Sequence, residues 1–352
     1  VVTKSYSIAG KSITFESGRL ALFATGSVVI SNEAGNYLLT TCGIGNPKDG
    51  DFFPLTVEFQ EKYYAAGKIG GNRFMKREWR PSENSILNSR MIDRPIRPMF
   101  PKGTRTDTQI ISTIMSSSGL SDFGFYWVTG ASLSVMLAGV REFEWPVAAV
   151  RITSDEVGNF VFDPTFEQIQ NSHLDLTVAG TLDAITMVES QSSEVSNELM
   201  VRAFEFAHTI IKDFCHAQMD FIREYTKVYT LPETILTVIE THPEVTSIVN
   251  GVIRKEDIEK LYWLWKLEFH DAVHDMIESI KVHFEWRIKG EPLTCLVDDS
   301  IPVHVAMEET FSIGEIAEAV KEVIKNEYRE KLKYFEYKKL YNFYYTKIPL
   351  KK

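Results

Sequence analysis

Two hydrophobic periods divide this chain, and together they admit few folds. Through Val188 the apolar residues come in short β-rich runs, the first of them cut by Gly18, Gly26, Gly35 and Gly43. "SVVIS" and "NYLLTTC" predict a hairpin turning through "NEAGN". "FFPLTVEFQ" sets Leu55, Val57 and Phe59 on one face and Thr56, Glu58 and Gln60 on the other, as a half-buried strand does. "TQIISTIMSS" and "AAVRIT" read as further strands, and Thr129–Val140 as a short buried helix that Gly139 ends. The stretch from Asn159 to Ser190 reads as a strand, an acidic turn and two strands that finish near Val188. From about Ser196 the period changes: Leu199, Ala203, Phe206, Ile210 and Phe214 recur at threes and fours, one apolar stripe on a long helix. Ser196 is its expected N-cap, with Glu198 in the first turn. From about Thr234 the sequence reads as helical throughout, broken at Gly290–Pro292 and Pro302. Strands mixed with helices, then helices alone, describe an α+β domain followed by a small all-α domain.

Composition narrows the classes further. The 352 residues are enough for about two domains. No run of about 18 apolar residues occurs, so no membrane span is expected. The chain opens on "VVTKSYSIAG", without a charged-then-apolar leader, and no signal peptide is expected there. The lack of a starting Met fits either a removed targeting segment or a simple boundary. Cys42, Cys215 and Cys295 are far apart and odd in number, which supports neither a disulfide framework nor a thiolate zinc cluster. A reducing compartment fits such usage.

The formal net charge is -10, yet the segment from Asn72 to Gly103 gathers Arg73, Lys76, Arg77, Arg80, Arg90, Arg94, Arg97 and Lys102 against Glu78, Glu83 and Asp93. One reading is a solvated loop and helix whose arginines pair with those carboxylates. A second reading takes the neighbours into account. Phe74, Met75 and Trp79 lie among the cations, and "RPIRP" stiffens the backbone around Arg94 and Arg97. Flat or polarizable groups for splayed bases, with fixed guanidinium groups for phosphates, are what a single-stranded polynucleotide needs.

The wording of "DFFPLTVEFQEKYYAAGKIGGNRFMKREWRPSENSILNSRMIDRPIRPMFPKG" resembles the first half of the polynucleotide phosphorylase family, and the resemblance extends over about Ile13 to Arg329. "ITFESGRLALFATGSVVIS" and "EVIKNEYRE" look closest to mitochondrial members. The resemblance implies 3′-to-5′ phosphorolytic RNA degradation, with Mg²⁺ and inorganic phosphate in the family reaction. It implies an RNase PH-type domain, a βαβ fold like domain 2 of ribosomal protein S5, over residues 1–228 (core 9–142, second part 143–228). An all-α domain at 229–330 and a basic Tyr- and Lys-rich tail at 331–352 follow. A full family subunit carries two RNase PH-type copies, the second of them active, and three subunits form a ring. This chain is expected to hold the first copy and the α-domain and then stop, as a truncated form. Its expected partners are single-stranded RNA and either two further copies of itself or a separate catalytic RNase PH-type chain. The expected location is the mitochondrion, with the cytoplasm as the alternative.

Set against the family, the first copy looks silent. The active copy has a serine-rich phosphate anchor where this chain reads "SDFGF", Ser121 to Phe125, and a carboxylate there repels phosphate. Ser116–Ser118 lies too early and reads as a polar strand end. The active copy's acidic pair and lysine fall on Ile169, Asp175 and Thr177, so Asp175 alone remains. Asp163 and Glu167 are assigned to the turn "DPT". No catalytic residue, metal ligand or bound cofactor is therefore expected in this chain. "FMKR", Phe74 to Arg77, matches the "FFRR" loop that lines the family's channel; Met75 stacks less well than an aromatic ring, and Lys76 loses the planar fork. The expected RNA-binding set is Phe74, Met75, Lys76, Arg77, Arg80, Arg90, Arg94 and Arg97. The alternative function is a non-enzymatic RNA-binding or scaffold subunit of a larger assembly. His270 and His274 have a helical i, i+4 spacing without a zincin Glu, and Trp263, Trp265 and Trp286 read as helix packing.

Overall fold

The computed structural model describes residues 1–48, 52–69, 81–122, 125–143, 145–155 and 158–238, and beyond these 246, 249–250, 253, 255–261, 268, 271–279 and 319–327. The chain divides into two compact units, one of Val1–Lys48 and Phe53–Val238, the other of Asp49–Phe52 and Ile239–Lys352.

The first unit holds two sheets. Strands β1 (Val2–Ile8), β2 (Lys11–Ser17), β3 (Gly26–Asn32), β4 (Tyr37–Pro47), β5 (Leu55–Gln60) and β6 (Thr106–Ser116) form one, in the order β1-β2-β3-β4-β6-β5. The expected hairpin is the β3–β4 pair, with Ser31 opposite Tyr37. Only β5 runs parallel to its neighbour β6, and helix α1 (Glu83–Ile96) lies in the connection between them, as a parallel crossover requires. Strands β7 (Ala148–Ser154), β8 (Phe160–Phe162), β9 (Leu174–Gly180) and β10 (Ile185–Ser192) form an antiparallel second sheet, ordered β10-β9-β7-β8.

Helix α2 (Tyr126–Leu137) packs against β3 and β4 of the first sheet and β7 of the second. Eleven of its twelve residues are buried, which is why its sequence shows no polar face. It begins three residues before the expected start at Thr129, because Tyr126 and Trp127 are themselves buried packing groups: Trp127 meets Phe59 edge-on, with ring centres 4.5 Å apart. The long helix α4 (Asn197–Thr226) starts at its Ser196 cap, whose side chain accepts from Leu199 N–H. It packs on β1 and β7, and its Phe214 meets Tyr126 of α2 and its Phe221 meets Phe15 of β2.

Three expectations need correction. Between β8 and β9 the structure adds a short helix, α3 (Phe166–Gln170), where the sequence reading had only a turn. Thr165 and Gln168 form its capping box, a signal legible in "TFEQ". Strand β10 continues to Ser192, past the expected end near Val188, because backbone pairing with β9 outlasts the apolar pattern. Finally, residues 231–238 are not helical. Thr234 N–H donates to Gly139 O, Thr234 Oγ1 to Ala138 O, Thr237 N–H to Thr106 Oγ1, and Arg105 N–H to Thr237 O. These bonds within the first unit spend the backbone groups that a helix would use.

In the second unit α5 (Lys255–Leu261) and residues 271–279 and 319–327 are helical. Ala319, Val320, Val323 and Ile324 are buried at helical spacing, as the sequence predicts. No helix among the described residues is long and apolar enough to cross a membrane.

Gly139 joins these observations. Its φ is +69°, and a Cβ there would lie 1.7 Å from the carbonyl oxygen of Pro232. Gly139→Ala is therefore strained in its backbone and also forces the 231–238 strap away. Urea unfolding is expected to show a loss of more than about 1 kcal/mol, against a few tenths for a neutral surface change.

Candidate functional site

Two places in the first unit bear on chemistry: the arginine face of α1, and a cluster of an arginine and two aspartates on the second sheet.

Ser82 caps α1, its Oγ accepting from Ser85 N–H and donating to Glu61. Arg90, Arg94 and Arg97 recur at i, i+4 and i+7 and so share one side of the helix. They differ in what they do. Arg97 makes four hydrogen bonds: two to the Asp93 carboxylate at 2.7 and 2.9 Å, and one each to the carbonyls of Phe53 and Leu55, both at 3.1 Å. It also lies over the Phe53 ring. Ser89 Oγ accepts from Phe59 N–H. Arg97 and Ser89 thus close the outer edge of β5, the last strand of its sheet. Arg94 pairs with Glu189 of β10 at 2.9 Å, and both side chains are more than half exposed. Such a pair adds little stability and yields readily to another anion. Arg90 is exposed.

Arg90, Asp93 and Arg97 border a groove of about 1330 Å³ between α1 and β5, together with Lys62, Lys68 and Glu61. The groove carries both signs of charge. Phe74, Met75, Lys76, Arg77 and Arg80 fall outside the described residues, as does Trp79.

On the second sheet, Asp175 of β9 is not free. Arg151 of β7 donates from Nε to Asp175 Oδ1 at 2.8 Å and from Nη2 to Oδ2 at 2.7 Å, and from Nη1 to Asp122 Oδ2 at 2.5 Å. The three side chains are 19–35% exposed, shielded enough for the pairing to hold the charges in place. The hydrogen bond to Asp175, and after it the charges of Asp122 and Asp175, raise the Arg151 pKa above its ordinary value against the cost of burial. Arg151 sits directly across the ladder from Thr177. Ile169 is half-buried on α3 and Thr177 is buried in β9.

Asp163 stands in the turn, but its carboxylate reaches other elements of the unit. Its N–H donates to Arg151 O, its φ is +50°, and its carboxylate takes Lys11 at 3.0 Å and the Tyr126 hydroxyl at 3.4 Å. Glu167 is exposed in the first turn of α3. Ser116 ends β6, as expected of a polar strand end. Burial pushes the thiols of Cys42 and Cys215 up to about 12, which leaves them inert near neutral pH. His208 bonds Thr181 O through Nε2, and His216 is exposed. His274 is described, whereas His270, Trp263, Trp265, Trp286 and the 331–352 tail are not.

Arg151 is the residue that sequence reasoning missed. Its signal was a charge in the middle of an otherwise apolar strand, "AAVRIT".

These features belong to a recognisable class. Residues 9–141 match domain 1 of the 3′ exoribonuclease family and residues 146–210 match its domain 2. The chain belongs to that family, with an RNase PH-type α+β fold. More closely, it is 43% identical over 293 residues to the polyribonucleotide nucleotidyltransferase of Geotalea daltonii, across 82% of this chain and 39% of that protein. It is 42% identical over 231 residues to the Thermus thermophilus enzyme of the same name, across 65% of this chain and 32% of that protein. The chain therefore spans only about a third of the length of these curated relatives. Among solved structures, that of rice Rrp46 aligns with a TM-score of 0.44 and 12% identity over 59% of this chain and 92% of that one.

The Mg²⁺ that the family reaction uses does not fit the residues present. Both oxygens of Asp175 are occupied by Arg151, and Ile169 stands where the resemblance places a second carboxylate. Among the described residues no group of three His, Cys, Asp or Glu side chains is placed to hold a metal ion.

The two arginines of α1 are expected to separate in a stability assay. Arg97→Ala removes bonds to a carboxylate and two edge carbonyls and is expected to cost about 1–3 kcal/mol. Arg94→Ala is expected to stay within about 0.5 kcal/mol. Urea unfolding midpoints of the two variants check the order.

Proposed function

We propose that this chain is the catalytically silent, RNA-guiding first part of a polyribonucleotide nucleotidyltransferase, acting in 3′-to-5′ phosphorolytic RNA decay. It is read as binding single-stranded RNA and as joining either copies of itself in a trimeric ring or a separate catalytic RNase PH-type chain. The observation that carries the reading is a division of labour among its arginines. Arg151 is spent on two carboxylates in the cluster on the second sheet, whereas Arg90 and Arg94 are exposed on α1, the helix that follows the cationic and aromatic 72–80 segment. The identity to polyribonucleotide nucleotidyltransferases over most of the chain supports the family reaction. The mitochondrial wording of "ITFESGRLALFATGSVVIS" supports a mitochondrial location.

In this reading the phosphates of a threaded strand meet the exposed guanidinium groups, and bases stack on Phe74 and Trp79. Contacts of that kind hold register without reading sequence. The bond is broken elsewhere, in a copy with a free acidic pair.

The purified chain, incubated with poly(A), phosphate and Mg²⁺, is expected to release no ADP above background; sustained release refutes the silent assignment. Lys76→Ala with Arg77→Ala is expected to weaken binding to all single-stranded RNA sequences alike. It is also expected to lower the slope of log K against log salt by about 1–2. Unchanged affinity and slope in filter binding across a salt series contradict the guiding role.

A further inference from the structure

The disagreement between the cleft and the family metal has a structural cause. Asp122 arrives from the loop after β6, and its neighbour Ser121 bridges to Thr165. Asp175 projects from β9 on the same face as Thr177, two residues away. Arg151, entering from β7 directly opposite Thr177, contacts both of these carboxylates.

We propose that Arg151 is a resident counter-cation, held between Asp122 at the phosphate-anchor position and Asp175 at the acidic position, and that it closes this cleft to metal and to phosphate. The inference deepens the reading that this copy does no phosphorolysis and rests on it. Three arguments converge. First, the fork of the guanidinium takes both oxygens of Asp175 and one of Asp122, so Asp175 retains no oxygen that is not already committed to a cation. Second, Asp122 and Asp175 set two negative charges against the guanidinium, which offsets the pull that a lone arginine would exert on a phosphate dianion. Third, the geometry is ready-made for another cation. Two carboxylates from separate elements already contact a single positive centre, so removing that centre leaves both without the cation that offsets their charge. Such a pair either takes up a proton or binds a hard cation.

The experiment uses the whole chain and manganese as the probe. Arg151→Gln keeps the length and polarity of the side chain and removes its charge. Titrated with Mn²⁺ and followed by electron paramagnetic resonance of the free ion, this variant is expected to gain one site, binding at least tenfold tighter than anything in the unaltered chain. Adding Asp175→Asn to Arg151→Gln is expected to abolish that site. Arg151→Lys, which keeps a charge between the carboxylates, is expected to gain none. A folded Arg151→Gln variant with no added Mn²⁺ site overturns the proposal, as does a gain that survives Asp175→Asn. Failure of both Arg151 variants to fold assigns the arginine to stability alone and also overturns it. ADP release from poly(A) by the unaltered chain refutes the silent reading instead, and is read independently of the manganese titration.

Discussion

Helix α2 is held from both sides, and the rest of the first unit follows from that. Its residues Tyr126–Leu137 have the six-stranded sheet on one flank and β7 of the second sheet on the other. A helix in that place has no use for a polar face, and this one has none. Gly130 lets it approach β4 so closely that an added Cβ would lie 2.5 Å from Thr40 Oγ1. Because α2 fixes the spacing of the two sheets, it also fixes how the loop before it, with Asp122, meets β7 and β9. The cleft is thus set by core packing of the kind that costs several kcal/mol to disturb, and not by the loop alone.

That arrangement gives the two basic regions opposite characters. Arg151 lies in a shielded place where its charge has to be matched, and two aspartates match it. Arg90 and Arg97 border an open groove and Arg94 lies beside them on α1, where matching is optional. Arg97 is matched and serves as an edge clasp for β5; Arg94 holds an exposed pair; Arg90 stands in solvent. A gradient from committed to available cations along one helix suits a strand that passes over the surface, since available charge exchanges partners at little cost.

Much of this was legible in the sequence, and what was not has physical reasons. The β3–β4 hairpin, β5 and the Ser196 cap of α4 were plain, because each depends on local period and local hydrogen bonding. Residues 234–238 read as helix in the sequence and are not, because their hydrogen bonds go to Gly139, Ala138, Thr106 and Arg105, residues far away in the chain that no local pattern reports. The same holds for the cleft. The departures from the family at positions 169 and 177 were visible by resemblance, but the arginine that pairs with Asp122 and Asp175 enters from a different strand. Only the register of β7 against β9 brings Arg151 opposite Thr177. On α1 the sequence located the arginines and their shared side, while the structure separated their employments, since the carbonyls of Phe53 and Leu55 that engage Arg97 belong to another element.

The central claim is that this chain carries RNA on its α1 side and leaves the cluster on the second sheet untouched. Photocrosslinking tests it most directly: an oligonucleotide bearing 4-thiouridine, bound to the chain and irradiated, followed by mass spectrometric mapping of the adducts. The account predicts adducts within the peptides from Phe74 to Arg97 and none around Asp122, Arg151 or Asp175. Adducts concentrated in the cleft, with the α1 side unmarked, would contradict it.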